Sequence, residues 1–286
     1  MNKFALIGAS GFVAPKHFNA IKQTGNELKV IHDLNDTVGK IDSFFTDTYF
    51  TLNFNEFKKY LKQNKLDYLV ICSPNYLHYK FIKIGLKNKM NVICEKPLVL
   101  KSSQLKKIKA LEKKFKKKVN CIMQLRLDHS LISKINFYKK KKNYLDISVK
   151  YITSRGNWFL KSWKGDTKKS GGLTTNIGIH LFDFLIYNFG QPLKSSLKYN
   201  SNKTAKGELL FDNAKVTWLI SVDKSLLPKN SKLNSYRKMI IEGEIIDLSN
   251  KFTDLHTQSY KYILKDKGYG VEEVRDSLEL CEKLRK

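Results

Sequence analysis

Two side chains in this sequence are placed where they could transfer a proton during catalysis, Lys96 and His180. Lys96 stands between Glu95 and Pro97 on a short loop after an apolar segment, a setting that core packing does not explain. His180 follows a run rich in glycine, threonine and asparagine that enters a helix. Lysine and histidine both serve as general bases, so we take both residues as catalytic candidates. The plainer interpretations are a surface charge for Lys96 and a satisfied core residue for His180.

A glycine turn near the start of the chain has the spacing of a phosphate-binding loop. Gly8-Ala9-Ser10-Gly11 follows the first predicted strand, and Ala14 stands at the third small position as a helix opens. Glycines let the backbone approach a pyrophosphate, which then lies at the helix N-terminus. The same pattern also occurs in plain tight turns, so taken alone it is weak evidence.

Asp33 directs this interpretation towards NAD. It ends the second predicted strand 22 residues after Gly11, where a carboxylate would accept hydrogen bonds from the adenosine ribose hydroxyls. No arginine follows it to receive a 2′-phosphate, so the sequence favours NAD over NADP. The alternative is a turn that Asp33 begins together with Asn35 and Asp36.

The N-terminal part of the chain alternates strand and helix, which predicts a parallel sheet with helices on both faces. The predicted strands are 3–8, 28–33, 67–72, 91–95 and 119–124, and the predicted helices are 14–24, 55–62, 78–87 and 103–117. Ligands bind beyond the carboxyl ends of such strands. Ser73-Pro74-Asn75 with His78, and Glu95-Lys96-Pro97, follow two of these ends, so we expect them beside the cofactor.

After Asp128 the pattern becomes that of an α+β domain with a large, mostly antiparallel open sheet. Strands are predicted at 145–153, 194–200, 207–211, 215–222 and 237–242, and helices at 128–138, 175–188, 253–265 and 271–284. Asn176 and His180 are four residues apart and should share one face of the helix 175–188. The sequence therefore predicts two domains, 1–124 and 125–286.

The composition argues against several classes of protein. The 286 residues carry a formal net charge of +27, but arginine occurs at only five positions and lysine is spread along the chain. Nucleic-acid readers usually depend on arginine, so we interpret the lysine runs as solvated surface whose positive field attracts small anions. The four cysteines form no CxxC pair and indicate reduced thiols in the cytoplasm. We expect no metal cluster, no signal peptide and no membrane-spanning segment.

Together the motifs resemble the glucose–fructose oxidoreductase/inositol dehydrogenase (Gfo/Idh/MocA) family of two-domain NAD(P)-dependent oxidoreductases. The resemblance depends on the glycine turn at 8–11, Ser73-Pro74-Asn75 with His78, Glu95-Lys96-Pro97, and Gly171-Gly172 followed by Asn176, His180 and Asp183. It covers nearly the whole chain. It implies an N-terminal Rossmann domain that binds NAD and a C-terminal α+β domain that binds substrate and forms a homo-oligomer, either a tetramer or a dimer.

Within that family the sequence is similar to the dehydrogenases that oxidise C3 of UDP-N-acetyl-2-amino-2-deoxy-D-glucuronate for O-antigen (lipopolysaccharide) biosynthesis. The similar segments are 73–79, 151–158, 160–166 and 252–257. This resemblance implies a 3-keto sugar nucleotide as the product and an aminotransferase as the next enzyme in the pathway. Asn176 replaces the Asp of many family members. It cannot act as a base, so we expect it to orient the substrate or His180.

The resemblance also implies the roles of individual residues. Lys96 would bind the C3 hydroxyl, and either Lys96 or His180 would take its proton. Lys96 can act as a base near neutral pH because a cationic nicotinamide lowers the pKa of a neighbouring lysine. Arg155 would bind the anionic substrate, although it could also be a surface cation. The predicted cofactor-binding residues are Gly8, Gly11, Phe12, Val13, Asp33, Asn35, Ser73, Asn75, His78, Glu95, Lys96, Gln124, Trp163 and Lys164, and the predicted substrate-binding residues are Lys96, Arg155, Asn157, Lys161, Asn176 and His180.

Three other functions stay open at this point. The nearest is a dehydrogenase of the same family that acts on another sugar or on an inositol. The second is a non-catalytic NAD-sensing regulator, against which the presence of both Lys96 and His180 argues. The third is a nucleic-acid-binding protein, which only the positive charge suggests.

Overall fold

The computed structural model describes residues 1–229, 234–248 and 254–285, which form two compact units. The first unit contains Met1–Ile122 and Asp254–Arg275, and the second contains Met123–Thr253 and Asp276–Lys286. The chain therefore leaves the first unit near residue 122 and returns to it through its C-terminal segment.

The first unit contains a parallel sheet. Its strands are β1 (Lys3–Ile7), β2 (Glu27–His32), β3 (Tyr49–Thr51), β4 (Tyr68–Ile71), β5 (Asn91–Cys94) and β6 (Val119–Cys121). Its first helices are α1 (Ala14–Gln23), α2 (Phe54–Gln63), α3 (His78–Lys87) and α4 (Ser103–Phe115), with 3-10 turns at Gly39–Ser43 and Asn75–Leu77. The strand order β3-β2-β1-β4-β5-β6 is that of a Rossmann fold, and every pair in it is parallel. The predicted parallel sheet is confirmed.

Burial explains why these segments become strands and helices. The four residues of β4 are all buried, as expected for a central strand that is covered on both faces. In α1 the side chains of Ala14, Phe18 and Ile21 are buried, and their spacing puts them on one face of the helix. Pro15 stands in the first turn of α1, where its missing N–H costs nothing. The helix that follows the glycine turn is therefore held firmly against the sheet.

The second unit contains a mixed sheet with helices. Its strands are β7 (Leu145–Thr153), β8 (Lys194–Asn200), β9 (Thr204–Phe211), β10 (Ala214–Ser221), β11 (Ser235–Ile241) and β12 (Glu244–Asp247), in the order β12-β11-β7-β10-β9-β8. Before β8 come the helices α5 (His129–Lys141), α6 (Trp158–Lys161), α7 (Thr167–Ser170), α8 (Gly172–Asn176) and α9 (Ile179–Phe189), and 3-10 turns lie at Gln124–Leu127 and Lys224–Leu226. Only β7 and β10 pair in parallel among these strands, so the predicted, mostly antiparallel sheet is confirmed.

Two short strands escaped the sequence prediction, β3 and β12. Each lies at an edge of its sheet and has a single buried residue, so neither shows the apolar run or the alternation that indicates a strand. The turn before β12 contains Glu242 and Gly243, whose φ angles are 51° and 86°. Positive φ at both central residues is the geometry of a tight hairpin turn, and the turn pairs β12 with β11 in antiparallel.

The predicted helix 175–188 was wrong in one respect, because α8 and α9 are separate helices with Ile177 and Gly178 between them. The N–H of Gly178 donates to the carbonyl oxygen of Leu173 at 2.9 Å, five residues back, so the turn is wider than an α-helical one. A Cβ on Gly178 would lie 2.6 Å from Cδ1 of Ile220 in β10. This close approach to the sheet is a packing demand that local sequence patterns do not reveal.

The C-terminal segment starts with α10 (Leu255–Ile263), and α11 (Arg275–Lys283) follows it into the second unit. Tyr260 and Ile263 are buried in the same core as Phe4, and the ring centroids of Phe4 and Tyr260 are 6.0 Å apart. The sequence prediction put residues 254–275 in the second domain. The structure packs them with the first unit, because an amphipathic pattern shows that a helix face is buried but not which core buries it.

The longest helices of the described chain are α4 and α5, with 13 residues each. A helix needs roughly 20 apolar residues to span the hydrocarbon core of a bilayer. Every helix in the described ranges is therefore too short or too polar to cross a membrane.

Candidate active site

The glycine turn brings the ends of β1 and β4 into contact. Gly8 has a φ of 94°, and a Cβ there would lie 2.6 Å from the carbonyl carbon of Cys72 and 2.7 Å from the backbone nitrogen of Ser73. Only glycine fits such a position. At Gly11 a Cβ would make ordinary contacts, 3.4 Å from the Gly8 oxygen and 3.6 Å from the Cys72 oxygen. Packing within the protein therefore requires a glycine at residue 8 and not at residue 11.

Asp33 connects the glycine turn to the end of β2. One of its carboxylate oxygens accepts hydrogen bonds from the backbone N–H of Ser10 at 2.8 Å and from the Ser10 hydroxyl at 2.9 Å. The other accepts from the backbone N–H of Asn35 at 3.0 Å. Asp33 is buried, and a carboxylate offers about four lone-pair sites. Asp33 thus follows the end of β2 and has an acceptor site left, which its predicted hydrogen bond from a ribose hydroxyl requires.

The start of α1 is open to an anion. Val13 is the N-cap residue, and within the described chain neither a side-chain cap hydrogen bond nor an acidic first-turn residue occupies this end. The positive end of a helix dipole favours negative charge there. Phe12, beside it, is 89% exposed, so the turn presents a large apolar side chain to solvent.

The loop after β4 supplies polar groups at the same edge of the sheet. Ser73 and Asn75 are both buried. The Ser73 hydroxyl is enclosed and has no hydrogen-bond partner among the described residues. A buried hydroxyl without a partner is costly, which favours a ligand group as its partner. Together with the uncapped start of α1, this orphaned hydroxyl fits a dinucleotide cofactor.

The His78 side chain lies between the loops after β4 and β5. It is fully buried, and its ring nitrogens lie 2.7 Å from the carbonyl oxygen of Pro97 and 2.9 Å from that of Ser73. Burial lowers the pKa of the imidazole, although both carbonyl groups oppose this effect. Because both nitrogens face backbone oxygens, His78 joins the loops after β4 and β5. The ring therefore supports these two loops, and a contact of His78 with the cofactor stays a prediction.

Lys96 lies on the loop after β5, which places it at the carboxyl edge of the sheet as predicted. It is partly buried, and the peptide bond between Lys96 and Pro97 is cis. Its backbone N–H donates to Oε2 of Glu95 at 3.3 Å, and its charge contributes to the lowered pKa of His78. The side chain is therefore near the loop that carries Ser73 and His78.

The sequence did not predict a buried group of side chains around Glu95, the residue that precedes Lys96. Oε1 of Glu95 lies 3.0 Å from Nε2 of His17 and 3.0 Å from Nε2 of His256. The Glu95 carboxylate is thus directed into the first unit, and a contact of Glu95 with the cofactor stays a prediction. The partners are 78 and 161 residues away in the sequence, so no local spacing could reveal them. His256 belonged to the segment 252–257 that carried the subgroup resemblance, but Phe252 and Thr253 of it lie outside the described residues.

In the second unit, Arg155, Lys164 and Arg237 form a group of positive charges that we call the cation group. Partial burial lowers the pKa of the Arg155 guanidinium, and the charge of Arg237 lowers it further. The pKa of Lys164 is lowered by burial and then by Arg155. Cations that repel one another in this way are stabilised by an anionic ligand.

Aromatic rings contact two members of the cation group, Lys164 and Arg237. The guanidinium of Arg237 lies 5.0 Å from the ring centroid of Tyr151, and its Nε donates to Oγ1 of Thr153 at 3.0 Å. Nζ of Lys164 lies 5.0 Å from the Trp158 ring centroid and 5.7 Å from that of Trp163. Such cation–π contacts stabilise a lysine at modest energy. Arg237 and Trp158 were not in the predicted site, since neither belongs to a motif with diagnostic spacing.

The remaining predicted residues lie in the second unit as well. Asn157 and Lys161 are exposed at the ends of α6, and Gln124 is buried in the turn at Gln124–Leu127. Asn176 and His180 are partly buried and lie on either side of the widened turn between α8 and α9, not on one uninterrupted helical face. Asp183, another motif residue, is buried and accepts hydrogen bonds from Nε and Nη2 of Arg126 at 2.8 and 2.6 Å. It therefore stabilises the second unit.

Two solved structures of the WlbA (WbpB) dehydrogenase from Thermus thermophilus are similar to the whole chain. The one in complex with NAD and α-ketoglutarate is 37% identical, with a TM-score of 0.95, and the match covers 100% of this chain and 95% of that one. The one in complex with NAD and UDP-GlcNAcA is 36% identical, with the same TM-score of 0.95 and the same coverage of 100% and 95%.

Two curated enzymes match more distantly. Glucose-6-phosphate 3-dehydrogenase of Bacillus subtilis (strain 168) is 25% identical over 217 residues, which are 72% of this chain and 59% of that enzyme. D-glucoside 3-dehydrogenase of Escherichia coli (strain K12) is 23% identical over 205 residues, which are 70% of this chain and 57% of that enzyme. The chain thus spans less than two thirds of the length of these relatives.

Both parts of the chain also match one protein family. Residues 2–123 match its NAD-binding Rossmann fold, and residues 143–245 match its C-terminal α/β domain. These two matches, and the 37% identity to a solved relative over the whole of this chain, show that the chain belongs to the Gfo/Idh/MocA family of NAD-dependent oxidoreductases.

Proposed function

We propose that this enzyme oxidises the C3 hydroxyl of UDP-N-acetyl-2-amino-2-deoxy-D-glucuronate (UDP-GlcNAcA) to the 3-keto sugar nucleotide. The observation that carries the proposal is the cation group, Arg155, Lys164 and Arg237, in which Arg237 lowers the pKa of Arg155 and Arg155 lowers the pKa of Lys164. A sugar nucleotide with a diphosphate and a carboxylate offers the negative charge that this group lacks. The relative with NAD and UDP-GlcNAcA bound, 36% identical over the full chain, supports the same substrate.

The first unit fits the cofactor of this reaction. NAD+ supplies the hydride acceptor when it is bound. Gly8, Gly11 and the open end of α1 would receive the pyrophosphate, Asp33 the ribose hydroxyls, and the Ser73 hydroxyl a further polar group of the ligand. Asp33 with no arginine after it favours NAD over a phosphorylated cofactor.

Proton transfer falls to Lys96 or His180. As the C3 carbon is oxidised, the proton of its hydroxyl must pass to a base, and each of these side chains can accept it. Asn176 has no basic group and would bind a sugar hydroxyl or orient His180. Asn157 and Lys161, which are exposed on α6, would add contacts to the nucleotide.

The position of oxidation has independent support. The curated relatives from Bacillus subtilis and Escherichia coli are both 3-dehydrogenases of sugars. One of them acts on glucose 6-phosphate, another anionic sugar. A sugar phosphate is therefore the second candidate substrate for this enzyme, and the cation group would then bind its phosphate.

The proposed setting follows from the substrate. A 3-keto sugar nucleotide is a substrate for transamination, so an aminotransferase would act next, in lipopolysaccharide synthesis. The enzyme would work as a homo-oligomer in the cytoplasm, where buried free thiols such as those of this chain stay reduced. The relative with NAD and α-ketoglutarate bound supports 2-oxoglutarate as the oxidant that restores NAD+.

A substrate panel tests the proposal. We expect NADH formation and a 3-keto product, identified by mass spectrometry, with UDP-GlcNAcA, and much less with UDP-GlcNAc, glucose 6-phosphate or myo-inositol. Addition of 2-oxoglutarate should bleach the NADH fluorescence of the reduced enzyme. Faster turnover of glucose 6-phosphate than of UDP-GlcNAcA would move the assignment to the sugar phosphate.

Lys96→Ala tests the proposed proton transfer. Removing a general base lowers a rate by about 10² to 10⁴-fold, so kcat should fall by that factor while the KM of NAD changes little. Lys101→Ala is the control, because Lys101 is exposed on the same connection after β5 and its loss changes the net charge equally. Full turnover in Lys96→Ala, together with its loss in His180→Ala, would assign the base to His180.

A further inference from the structure

Four buried side chains connect the Lys96 loop to two helices of the first unit. This Glu95 cluster consists of Glu95 after β5, His17 on α1, and His256 and Tyr260 on α10. The exposed fractions are 9% for Glu95, 5% for His256, and 0% for His17 and Tyr260. Buried polar groups are retained only when they are hydrogen-bonded, so the contacts within the cluster show what it holds in place.

The contacts form a continuous chain. Oε1 of Glu95 accepts from Nε2 of His17 and from Nε2 of His256, at 3.0 Å in each case. With its Nε2 as the donor, His17 accepts at Nδ1 from the Tyr260 hydroxyl, 2.8 Å away. The second oxygen of Glu95, Oε2, accepts from the backbone N–H of Lys96 at 3.3 Å. One carboxylate thus joins both helices to the residue proposed to meet the substrate.

The Glu95 carboxyl of the cluster is held in its ionised form. Burial would raise the pKa of the Glu95 carboxyl, but the hydrogen bonds from His17 and His256 outweigh it and hold the pKa well below its usual range. Burial lowers the pKa of the His256 imidazole. An ionised carboxylate therefore accepts from imidazole N–H groups, and such charge-assisted bonds are stronger than neutral ones. The titratable and charged groups that face the cluster are Lys16, Cys72, His78, Cys94 and Lys96.

The same side chains are of types that bind metals. The ligand atoms of His17, Glu95 and His256 lie within 4.8 Å of one another, and two imidazoles with a carboxylate form a known zinc set. The hydrogen bonds to Glu95 and Tyr260 already use Nε2 of both histidines and Nδ1 of His17. The cluster is thus a hydrogen-bond network among these side chains.

We propose that His17, His256 and Tyr260 are positioning residues for the oxidation, because they hold the Glu95 carboxylate from α1 and α10 and so set the place of the Lys96 loop. This inference rests on the proposed role of Lys96. α1 is also the helix that begins at the glycine turn, so the cluster links the loop of the base to the helix that would receive the pyrophosphate. A misplacement of about 1 Å can cost roughly 10²-fold in rate.

Two variants of His256 separate this role from simple packing. His256→Leu keeps most of the volume and loses the N–H donor, whereas His256→Gln keeps an amide N–H that can donate to Glu95. We expect kcat to fall by about 10 to 100-fold in His256→Leu, with a smaller change in the KM of the sugar nucleotide. His256→Gln should recover most of kcat.

Thr257→Val is the matched control. The Thr257 hydroxyl donates to Oε1 of Gln23 at 3.0 Å, which is another contact between α10 and α1 that does not include Glu95. This variant should lower the melting temperature and leave kcat unchanged. A loss of kcat in Thr257→Val equal to that in His256→Leu would overturn the proposal, since the helix would then act only through stability.

The pH dependence of kcat gives a second measurement. Glu95 keeps its charge in wild type down to low pH because both imidazoles donate to it. Loss of one donor in His256→Leu should raise the pKa of Glu95 and move the acid limb of the kcat profile to higher pH. Thr257→Val should keep the wild-type acid limb. An unchanged acid limb in His256→Leu would contradict the proposed link.

Hydrogen exchange tests the cluster without turnover. The backbone N–H of Lys96 donates to Glu95, so peptides that contain it should exchange faster in His256→Leu than in wild type or in Thr257→Val. If the wild-type enzyme oxidised no sugar nucleotide, the proposed function would be wrong. Hydrogen exchange at Lys96 would still test whether the Glu95 cluster holds the Lys96 loop. Unchanged exchange in His256→Leu would refute the positioning role, and one equivalent of zinc in the purified wild type would make the cluster a metal centre instead.

Discussion

The two regions that would meet NAD and the sugar nucleotide are built in opposite ways. At the carboxyl edge of the first unit, backbone segments approach closely at Gly8, and the polar side chains Asp33 and Ser73 are buried. In the second unit, the cation group consists of three long charged side chains, and the charge of Arg237 acts against that of Arg155. The first region depends on shape and the second on charge. Substitutions at the closely packed backbone positions of the first region should therefore cost stability, and substitutions of the cations in the second region should cost affinity.

This difference follows from the ligands. A pyrophosphate that contacts backbone N–H groups needs a turn of fixed shape, and close packing of the backbone fixes that shape. An anionic sugar can be bound by long side chains that adjust to it, and the repulsion among unliganded cations leaves them ready for an anion. Binding at the second region should therefore weaken as salt screens its charges.

The largest effect that would separate the regions is expected for Gly8→Ala. Its φ of 94° disfavours any Cβ, and that Cβ would also lie 2.6–2.8 Å from backbone atoms of Cys72 and Ser73. Left-handed strain costs about 1–2 kcal/mol and overpacking about 1–3 kcal/mol more. We expect the free energy of unfolding to fall by about 3 kcal/mol, as measured by denaturant titration, together with a loss of NADH binding.

Gly25→Ala is the control for this substitution. Gly25 also has a positive φ, 70°, but a Cβ there would meet no atom within 4 Å. It should cost only the strain, about 1 kcal/mol, and leave NADH binding intact. Equal losses of stability in the two variants would show that the contact between the ends of β1 and β4 is not the source of the effect.

The fold could be predicted from the sequence wherever burial follows a simple period. β4 is buried throughout and α1 has one apolar face, so both were predicted within a residue or two. β12 has one buried residue, and its hairpin depends on positive φ at Glu242 and Gly243, which the sequence prediction did not weigh. The return of α10 to the first unit depends on where Tyr260 is buried, and a pattern of one helix does not contain that information.

The candidate site shows the same limit. Glycine turns and strand ends are local features, so Gly8, Asp33 and Lys96 could be placed from spacing alone. His17, His256 and Arg237 act through partners that are distant in the sequence, such as Glu95 for His256, 161 residues away. Only the folded chain brings these together. For His78 the position after a strand end could be predicted, but the burial of its ring between two carbonyl groups could not, because that is a tertiary feature.

An intermediate effect is expected for Arg155→Ala in the second region. A hydrogen bond to a charged group contributes about 1.5–3 kcal/mol, so the KM of UDP-GlcNAcA should rise about 10 to 100-fold. Stability should change by less than about 0.5 kcal/mol, because the substitution also removes repulsion with Arg237 and Lys164. Steady-state kinetics at two salt concentrations measures this, and the variant should show the weaker salt dependence.

Lys168→Ala is the matched control, since Lys168 is an exposed lysine on α7 and its loss changes the net charge by the same amount. Its KM should stay close to that of wild type. A similar rise of KM in both variants would mean that the overall positive field attracts the substrate, and that the cation group has no special part in binding it.

The smallest effect, and the finest test of the comparison, is expected for Ser73→Ala. Its hydroxyl is buried without a partner among the described residues, so its removal should leave the apoenzyme as stable as wild type or slightly more stable. If the hydroxyl bonds the cofactor, the affinity for NADH should fall by about 1 kcal/mol, or roughly fivefold.

Ser221→Ala is the converse case, because the Ser221 hydroxyl is buried but donates to the carbonyl oxygen of Lys203 at 3.0 Å. It should lose stability and keep its NADH affinity. Fluorescence titration and thermal unfolding of the pair would then show whether the first region also reserves a polar atom for its ligand, or binds through the shape of its backbone alone.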